Sequence, residues 1–402
     1  VGHQALTANT TGNNNVALGY KALFTNTTGN HNIAVGLDSL RVNVTGYANT
    51  AVGYNALRLN TVNYNTAIGY KTLTSNTTGQ QNTALGYDAL RYNTTGQYNV
   101  AVGAYGLENN VSGSCNVAIG YEVLKTNTCG DNNVAIGFKA VRSSTTALNT
   151  IGIGSCALYA LTTGSDNVAI GTNAMKAYTT GRCSIAIGND AMGNTQNQGH
   201  TNIAIGVRAG CSLGSNYNIA IGLDAGAKHS ATANAGSNLF MGNGAAKCIT
   251  AGLQNVVIGP NVRSGTQTTL GNYNTLVGSG SSACLEGSWN VIVGNCSAEC
   301  VASVEQSIII GACAGRGVNS GGDHHMPNGT IAIGNNALCK FVNDGSSNWT
   351  SIAIGQNAMC STLAVVGIRG TALGHQSLKS NTTGVNNTAI GDDAMSDNTT
   401  GR

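Results

Sequence analysis

Proline occurs twice in 402 residues, and Asp, Glu, Lys and Arg together make up only 9 % of the chain. With 56 glycines, these shortages exclude a collagen-type triple helix, which needs proline beside a strict glycine period, and a charge-rich disordered tail. Cysteine is missing before Cys115, the first of 12. No paired short-spacing zinc motif is among them, and Cys296-x-x-x-Cys300 alone is weak ground for one. There is no phosphate loop and no nucleophile constellation. No leader, membrane-spanning apolar run or lipidation motif is visible, and a net charge of +3 gives no reason to expect nucleic acid as a partner. The expectation is a protein without cofactor, metal or enzymatic chemistry and without membrane insertion in this segment. The 7 His residues are scattered except in Asp323-His324-His325, which interrupts the repeat described next and could offer metal ligands or a binding loop tip but reads first as a solvated loop.

What is present is one repeated unit. Asn, Thr or Val, Ala, Ile or Val and Gly are followed by Tyr, an Ala-Leu pair and an Asn-Thr-Thr-Gly turn. Taking the glycine after Ala-Ile as an anchor, the unit recurs at Gly2, Gly19, Gly36, Gly53, Gly69, Gly86, Gly103, Gly120, Gly137, Gly154, Gly171 and Gly188, every 17 residues with one step of 16. The period frays afterwards but persists to Gly391. A unit this short cannot hold a helix pair, which needs about 34 residues, whereas one coil of a β-solenoid fits. The segments Asn15-Val16-Ala17-Leu18 and Asn133-Val134-Ala135-Ile136 carry apolar side chains on both faces of a strand, as in a parallel or stacked sheet. The expectation is that Val and Ile line the core and that the Ala column, Ala17 to Ala135, meets a second packing partner. Substitution at Ala84 would then disrupt assembly.

The period organises the chain as one all-β parallel solenoid of about 17-residue coils. Residues 1–236 form the regular repeat. Residues 237–316 carry bulkier residues in the Ala column, namely Phe240, Val257, Leu276, Ile292 and Ile309, and are expected to pack against something different. Residues 317–402 combine loop insertions with a return to the regular repeat. The chain starts in mid-repeat and stops in mid-turn, so the native chain is expected to continue beyond both ends.

Columns through the repeat supply the candidate sites. Two residues after the anchor stand Lys21, Asp38, Lys71, Asp88, Glu122, Lys139, Asp190, Arg208 and Asp224, expected to face solvent with signs that tend to alternate. Five residues after it stand Arg41, Arg58, Arg91, Lys125, Arg142 and Lys176, all cationic. This stripe is either a track for surface glycans or other polyanions, or a set of long side chains that cover apolar surface and pair with acids. Tyr20, Tyr54, Tyr70, Tyr87, Tyr121 and Phe138 form an aromatic column that could grip sugars or simply hold register. Two Asn columns, through Asn15 and through Asn26, read as amide ladders. Several of these Asn residues also lie in Asn-x-Thr sequons, including Asn26, Asn76 and Asn93. Cys296 and Cys313, and likewise Cys284 and Cys300, should be neighbours on consecutive coils, either bridged across the rungs or free as small apolar side chains that fill the solenoid.

The unit in Asn65-Thr66-Ala67-Ile68-Gly69 and Asn167-Val168-Ala169-Ile170-Gly171 resembles the head repeats of trimeric autotransporter adhesins and related repeats of phage tail fibres. That resemblance implies a left-handed parallel β-roll, a homotrimer, and a role in attachment at a virion or cell surface. The functional expectation is an extracellular structural and adhesive fibre shaft. Two alternatives are a polysaccharide-cleaving tailspike, which would need a groove with carboxylates closer than about 10 Å, and a spacer or protective filament that does not adhere.

Overall fold

The computed structural model describes residues 2–194, 199–229, 236–262, 270–281, 286–299, 301, 303–317, 326–342, 350–361, 365–366 and 369–401. Among the described residues there is no helix. The protein is an all-β parallel solenoid, divided into two compact units, Val1–Gln198 and Gly199–Arg402. In the first unit eleven strands run from Val16–Leu18 to Ile185–Ile187, and in the second eleven run from Ile203–Ile205 to Asn387–Ile390. Within each unit, successive strands pair in parallel one coil apart; Val16, Ala17 and Leu18 face Ile33, Ala34 and Val35. A short separate sheet pairs Phe341–Val342 with Val365–Val366.

The anchor glycine ends each strand for a steric reason. Gly19 has φ +132, a conformation closed to side-chain-bearing residues, and a Cβ there would lie 2.6 Å from the Gly36 carbonyl oxygen on the next coil. Beyond it the chain turns through left-handed residues, Lys21 at φ 53 and Leu23 at φ 50. The ladder continues through this turn. Lys21 N–H donates to His3 O at 3.1 Å and Leu23 N–H donates to Ser39 O at 3.0 Å, which offsets the strain of the left-handed positions.

The strand faces are the reverse of the sequence expectation. The Ala column points inward, with Ala34, Ala51, Ala84 and Ala135 fully buried, while Val16 and Leu18 are 53 % and 49 % exposed. The cause is the width of the coil. The opposing segment places Leu23, Leu40, Leu57 or Leu90 in the same interior, also fully buried, and a large residue facing a large residue would overpack so narrow a section. Ala84 therefore meets its own chain, not a second one.

The bulky column follows the same rule with the roles exchanged. Phe240, Val257, Leu276, Ile292 and Ile309 are fully buried in the chain's own core. Around three of them the facing position that held Leu becomes small: Ala246 in the coil of Phe240, Ala298 in that of Ile292 and Gly315 in that of Ile309. A neighbouring coil can fill the space too, since a Cβ at Gly226 would lie 2.5 Å from Phe240 Cδ2. Burial within the solenoid replaces the expected change of packing partner.

Two buried amide ladders seal the coil corners. Asn32 N–H donates to Asn15 Oδ1 at 2.9 Å, and Asn32 Nδ2 donates to Gly46 O at 2.8 Å. In the second ladder Asn43 Nδ2 donates to Asn26 Oδ1 at 2.9 Å and Asn110 Nδ2 to Asn93 Oδ1 at 2.7 Å. Every such bond satisfies a polar group that the coil interior would otherwise strand.

Candidate functional site

The outer strand face forms a repeated surface feature of the first unit. Because the inward position is Ala, the two flanking positions of each strand project outward, and in the first unit they read Val16/Leu18, Ile33/Val35, then Val117/Ile119 and onward to Ile185/Ile187. Thr interrupts the first of these columns at Thr50, Thr66 and Thr83, and no charged residue occurs in either column. Several members are more than a third exposed, Ile119 at 37 % among them. Isolated exposed apolar residues are ordinary, but a continuous strip on stacked rungs is the signature of an interaction surface.

The cationic stripe lies on another face, and the structure pairs five of its six members with carboxylates of the same chain. Asp38 meets Arg41 at 3.6 Å and Arg58 at 4.0 Å, and Asp88 meets Arg91 at 3.2 Å. Lys125 bridges Glu122 at 3.1 Å and Glu108 at 3.4 Å, and Arg142 meets Glu122 at 2.8 Å. Lys176 is exposed and makes no ion pair among the described residues. The acids two residues after the anchor were expected to face solvent, yet Asp88, Glu122 and Asp224 are buried beneath their cationic partners. The left-handed turn folds the short acidic side chain back against the coil, and the longer Arg or Lys reaches over it. Burial works against the charge of Glu122, but hydrogen bonds from Arg142 and Lys125 outweigh it and hold this carboxyl below the usual range. A carboxylate so held serves as a counter-ion and is poorly suited to donate a proton.

The aromatic column forms stacks. Tyr54 and Tyr70 are 5.2 Å apart at 15°, Tyr70 and Tyr87 5.0 Å apart at 8°, and Tyr121 and Phe138 5.6 Å apart at 10°. Tyr105, one position further along its coil, continues the series edge-on against Tyr87 and Tyr121. Within a stack the ring faces are turned toward one another, and it is a free face that a sugar needs for stacking. Lys71 and Lys139 lie over Tyr70 and Phe138 at 5.0 and 4.9 Å. The arrangement holds register and partners the neighbouring cations. A second exposed stack joins Tyr273 and Trp289, 5.7 Å apart at 4°.

The sequon asparagines Asn26, Asn76 and Asn93 are fully buried in the second amide ladder, which leaves no room for a glycan on them in the folded coil. Cys296 and Cys313 occupy equivalent positions on consecutive coils, as their strand register requires, and both are half-buried free thiols. Cys284, Cys300 and Asp323-His324-His325 lie outside the described residues. One disulfide escaped the sequence reading: Cys339 and Cys360 are joined across neighbouring coils with Cα atoms 4.7 Å apart. Also missed was an exposed grouping of His375, Asp392 and Asp393, whose potential ligand atoms lie within 4.8 Å of one another. His375 Nδ1 and Asp392 Oδ1 are already 2.8 Å apart. Stacking the positions just after Gly374 and Gly391 would have revealed it. Elsewhere in the second unit an open groove is lined by Thr350, Arg369, Thr371 and Thr388.

No helix among the described residues is long and apolar enough to cross a membrane. Comparison with known proteins finds no family model that matches the chain and no curated protein that matches its sequence.

Proposed function

We propose that this chain is the shaft of an extracellular attachment fibre, on a virion or a cell surface, in which copies of the chain pack through the apolar outer face of the strands. The observation that carries this reading is the uncharged strip of Val, Ile and Leu, broken only by Thr50, Thr66 and Thr83, from Val16 and Leu18 to Ile185 and Ile187. A surface of this kind gains from leaving water roughly 25 cal/mol per Å² of apolar area, and its period matches itself on another copy. The resemblance of the repeat to trimeric adhesin heads makes three the expected number of chains. A solenoid whose polar groups are consumed in ladders and ion pairs suits mechanical spacing and presentation better than turnover.

The test is the native mass of the chain under reducing conditions, with and without Ile119→Lys. Ile119 points outward, so the variant should keep its β-rich circular dichroism while falling from trimer to monomer. A wild-type chain that remains monomeric at about 10 μM, in the range where specific interfaces of standard size persist, would remove the reading.

A further inference from the structure

Cys296 and Cys313 share one backbone geometry on consecutive coils. The strands before them pair Val293 with Ile310, and each cysteine follows three residues later. Their φ angles are 51 and 55, so the two Cα–Cβ bonds leave the coil in nearly the same direction. Cys296 N–H donates to Ser279 O and Cys313 N–H to Asn295 O, both at 2.9 Å, which places them one ladder step apart. That step is about 4.8 Å, within the Cα separation a disulfide accepts. Cys339 and Cys360, related by the same kind of step, are bonded with Cα atoms 4.7 Å apart. On the preceding coil the equivalent position is Gly280, where an added Cβ would make ordinary contact with Cys296 Sγ at 3.6 Å; the free sulfur is turned toward that coil and reaches Cys313 by rotation about its own Cα–Cβ bond.

We infer that Cys296 and Cys313 are a second staple site, closing to a disulfide between neighbouring coils when the protein meets an oxidised low-molecular-weight disulfide such as glutathione disulfide. One cysteine thiolate attacks the donor, breaking its S–S bond, forming a mixed disulfide and releasing one glutathione thiolate. The other cysteine thiolate attacks the protein sulfur of that mixed bond, forms Cys296–Cys313 and expels the second glutathione. The protein loses two electrons and two thiol protons, and the donor is reduced to two thiols. Burial, together with the negative charge of Glu299, pushes the Cys296 thiol up, so closure quickens as the solution becomes more alkaline.

Cys156 is the internal control. It stands at the same position after its anchor and is likewise half-buried, but Lys139 and Asn173 occupy the equivalent positions on the coils to either side. It has no sulfur to resolve a mixed disulfide.

The experiment incubates the native full-length chain with glutathione disulfide at pH about 9, where thiolates are plentiful, then blocks remaining thiols by alkylation and maps the digest by mass. A peptide linking Cys296 to Cys313 is expected, lighter by about 2 Da than its reduced parts, while Cys156 retains a glutathione adduct. In Cys313→Ser the adduct should remain on Cys296, and the linked wild-type protein should unfold at a higher temperature than this variant. The inference is overturned if Cys296 and Cys313 end as separate adducts, stay reduced where Cys156 reacts, or link to other cysteines. It is equally overturned if the digest shows no link although the native circular dichroism is intact.

Discussion

Asn116 offers its side-chain oxygen to the backbone N–H of Asn133, 3.0 Å away on the next coil, while its own amide nitrogen donates to the Gly130 carbonyl at 2.8 Å. One side chain thus ties a strand start to a turn and one rung to another. Asn116→Leu would leave that N–H buried without a partner, while the Gly130 carbonyl keeps its bond from Asn127 Nδ2 at 3.1 Å, costing about 1–3 kcal/mol. Asn116→Asp keeps an acceptor, loses the donor and adds a buried charge, so its destabilisation should grow as pH rises through the carboxylate range. Equilibrium unfolding in denaturant at two pH values measures both. A loss below about 1 kcal/mol for the Leu variant would show that water enters and satisfies the corner.

The exchanged core positions predict a compensating pair. Ile292 and Ala298 are both fully buried in one coil, whereas Ala118 and Leu124 hold the reversed sizes in another. Ile292→Ala alone should cost about 2–5 kcal/mol by leaving a cavity. Ala298→Leu alone should cost about 1–3 kcal/mol by overpacking. The double variant restores the volume and should be closer to wild type than the sum of the singles by at least about 1 kcal/mol. Additive losses would mean that the two side chains do not share one space.

The repeat period, the strand positions and the rung register were legible because backbone geometry dictates them. Gly19 must be glycine beneath Gly36, and Asn32 must reach both Asn15 and Gly46, so both positions recur visibly. Which strand face is inside was not legible. Val-Ala-Ile is apolar on both sides, and period-two alternation says only that the faces differ; the decision rests on how much room Leu23 and its equivalents leave for the residue opposite. The cationic stripe was legible as a column, but its neutralisation was not, because the left-handed turn that buries Asp88 and Glu122 leaves no composition signal. Cys339 and Cys360 were obscured by the wider spacing between Gly334 and Gly355, which hides that both stand at the same distance beyond their anchors.

Ala84 lies fully buried on a strand between Ala67 and Ala101. Ala84→Arg is therefore expected to unfold the surrounding coils whatever the oligomeric state, since it would place an unpaired charge in an interior that has no room for it. Loss of the cooperative thermal transition together with loss of β-sheet circular dichroism is the expected result. A folded variant with altered native mass would instead put the Ala column back at a chain-to-chain contact.

The pH dependence of the second unit centres on Asp224. Arg208 donates to its two oxygens at 2.6 and 2.9 Å, and Lys247 approaches at 2.9 Å. Hydrogen bonds from Arg208, partly opposed by burial and joined by Lys247, hold its carboxyl at about 2, below the ordinary 3.8. A carboxyl lowered on folding contributes stability that is fully present above its unfolded value and is lost as pH falls through its folded value. The window is therefore between pH about 4 and about 2, and the contribution is on the order of 1–2 kcal/mol once screening of the two half-exposed cations is allowed for. Asp224→Asn removes the titrating group, so the second unit should be less stable than wild type at neutral pH, and the gap should close at pH about 2. Denaturant unfolding across that range reads the effect; a difference between the two proteins that stays constant down to pH about 2 would show that Asp224 is held by shape and not by charge.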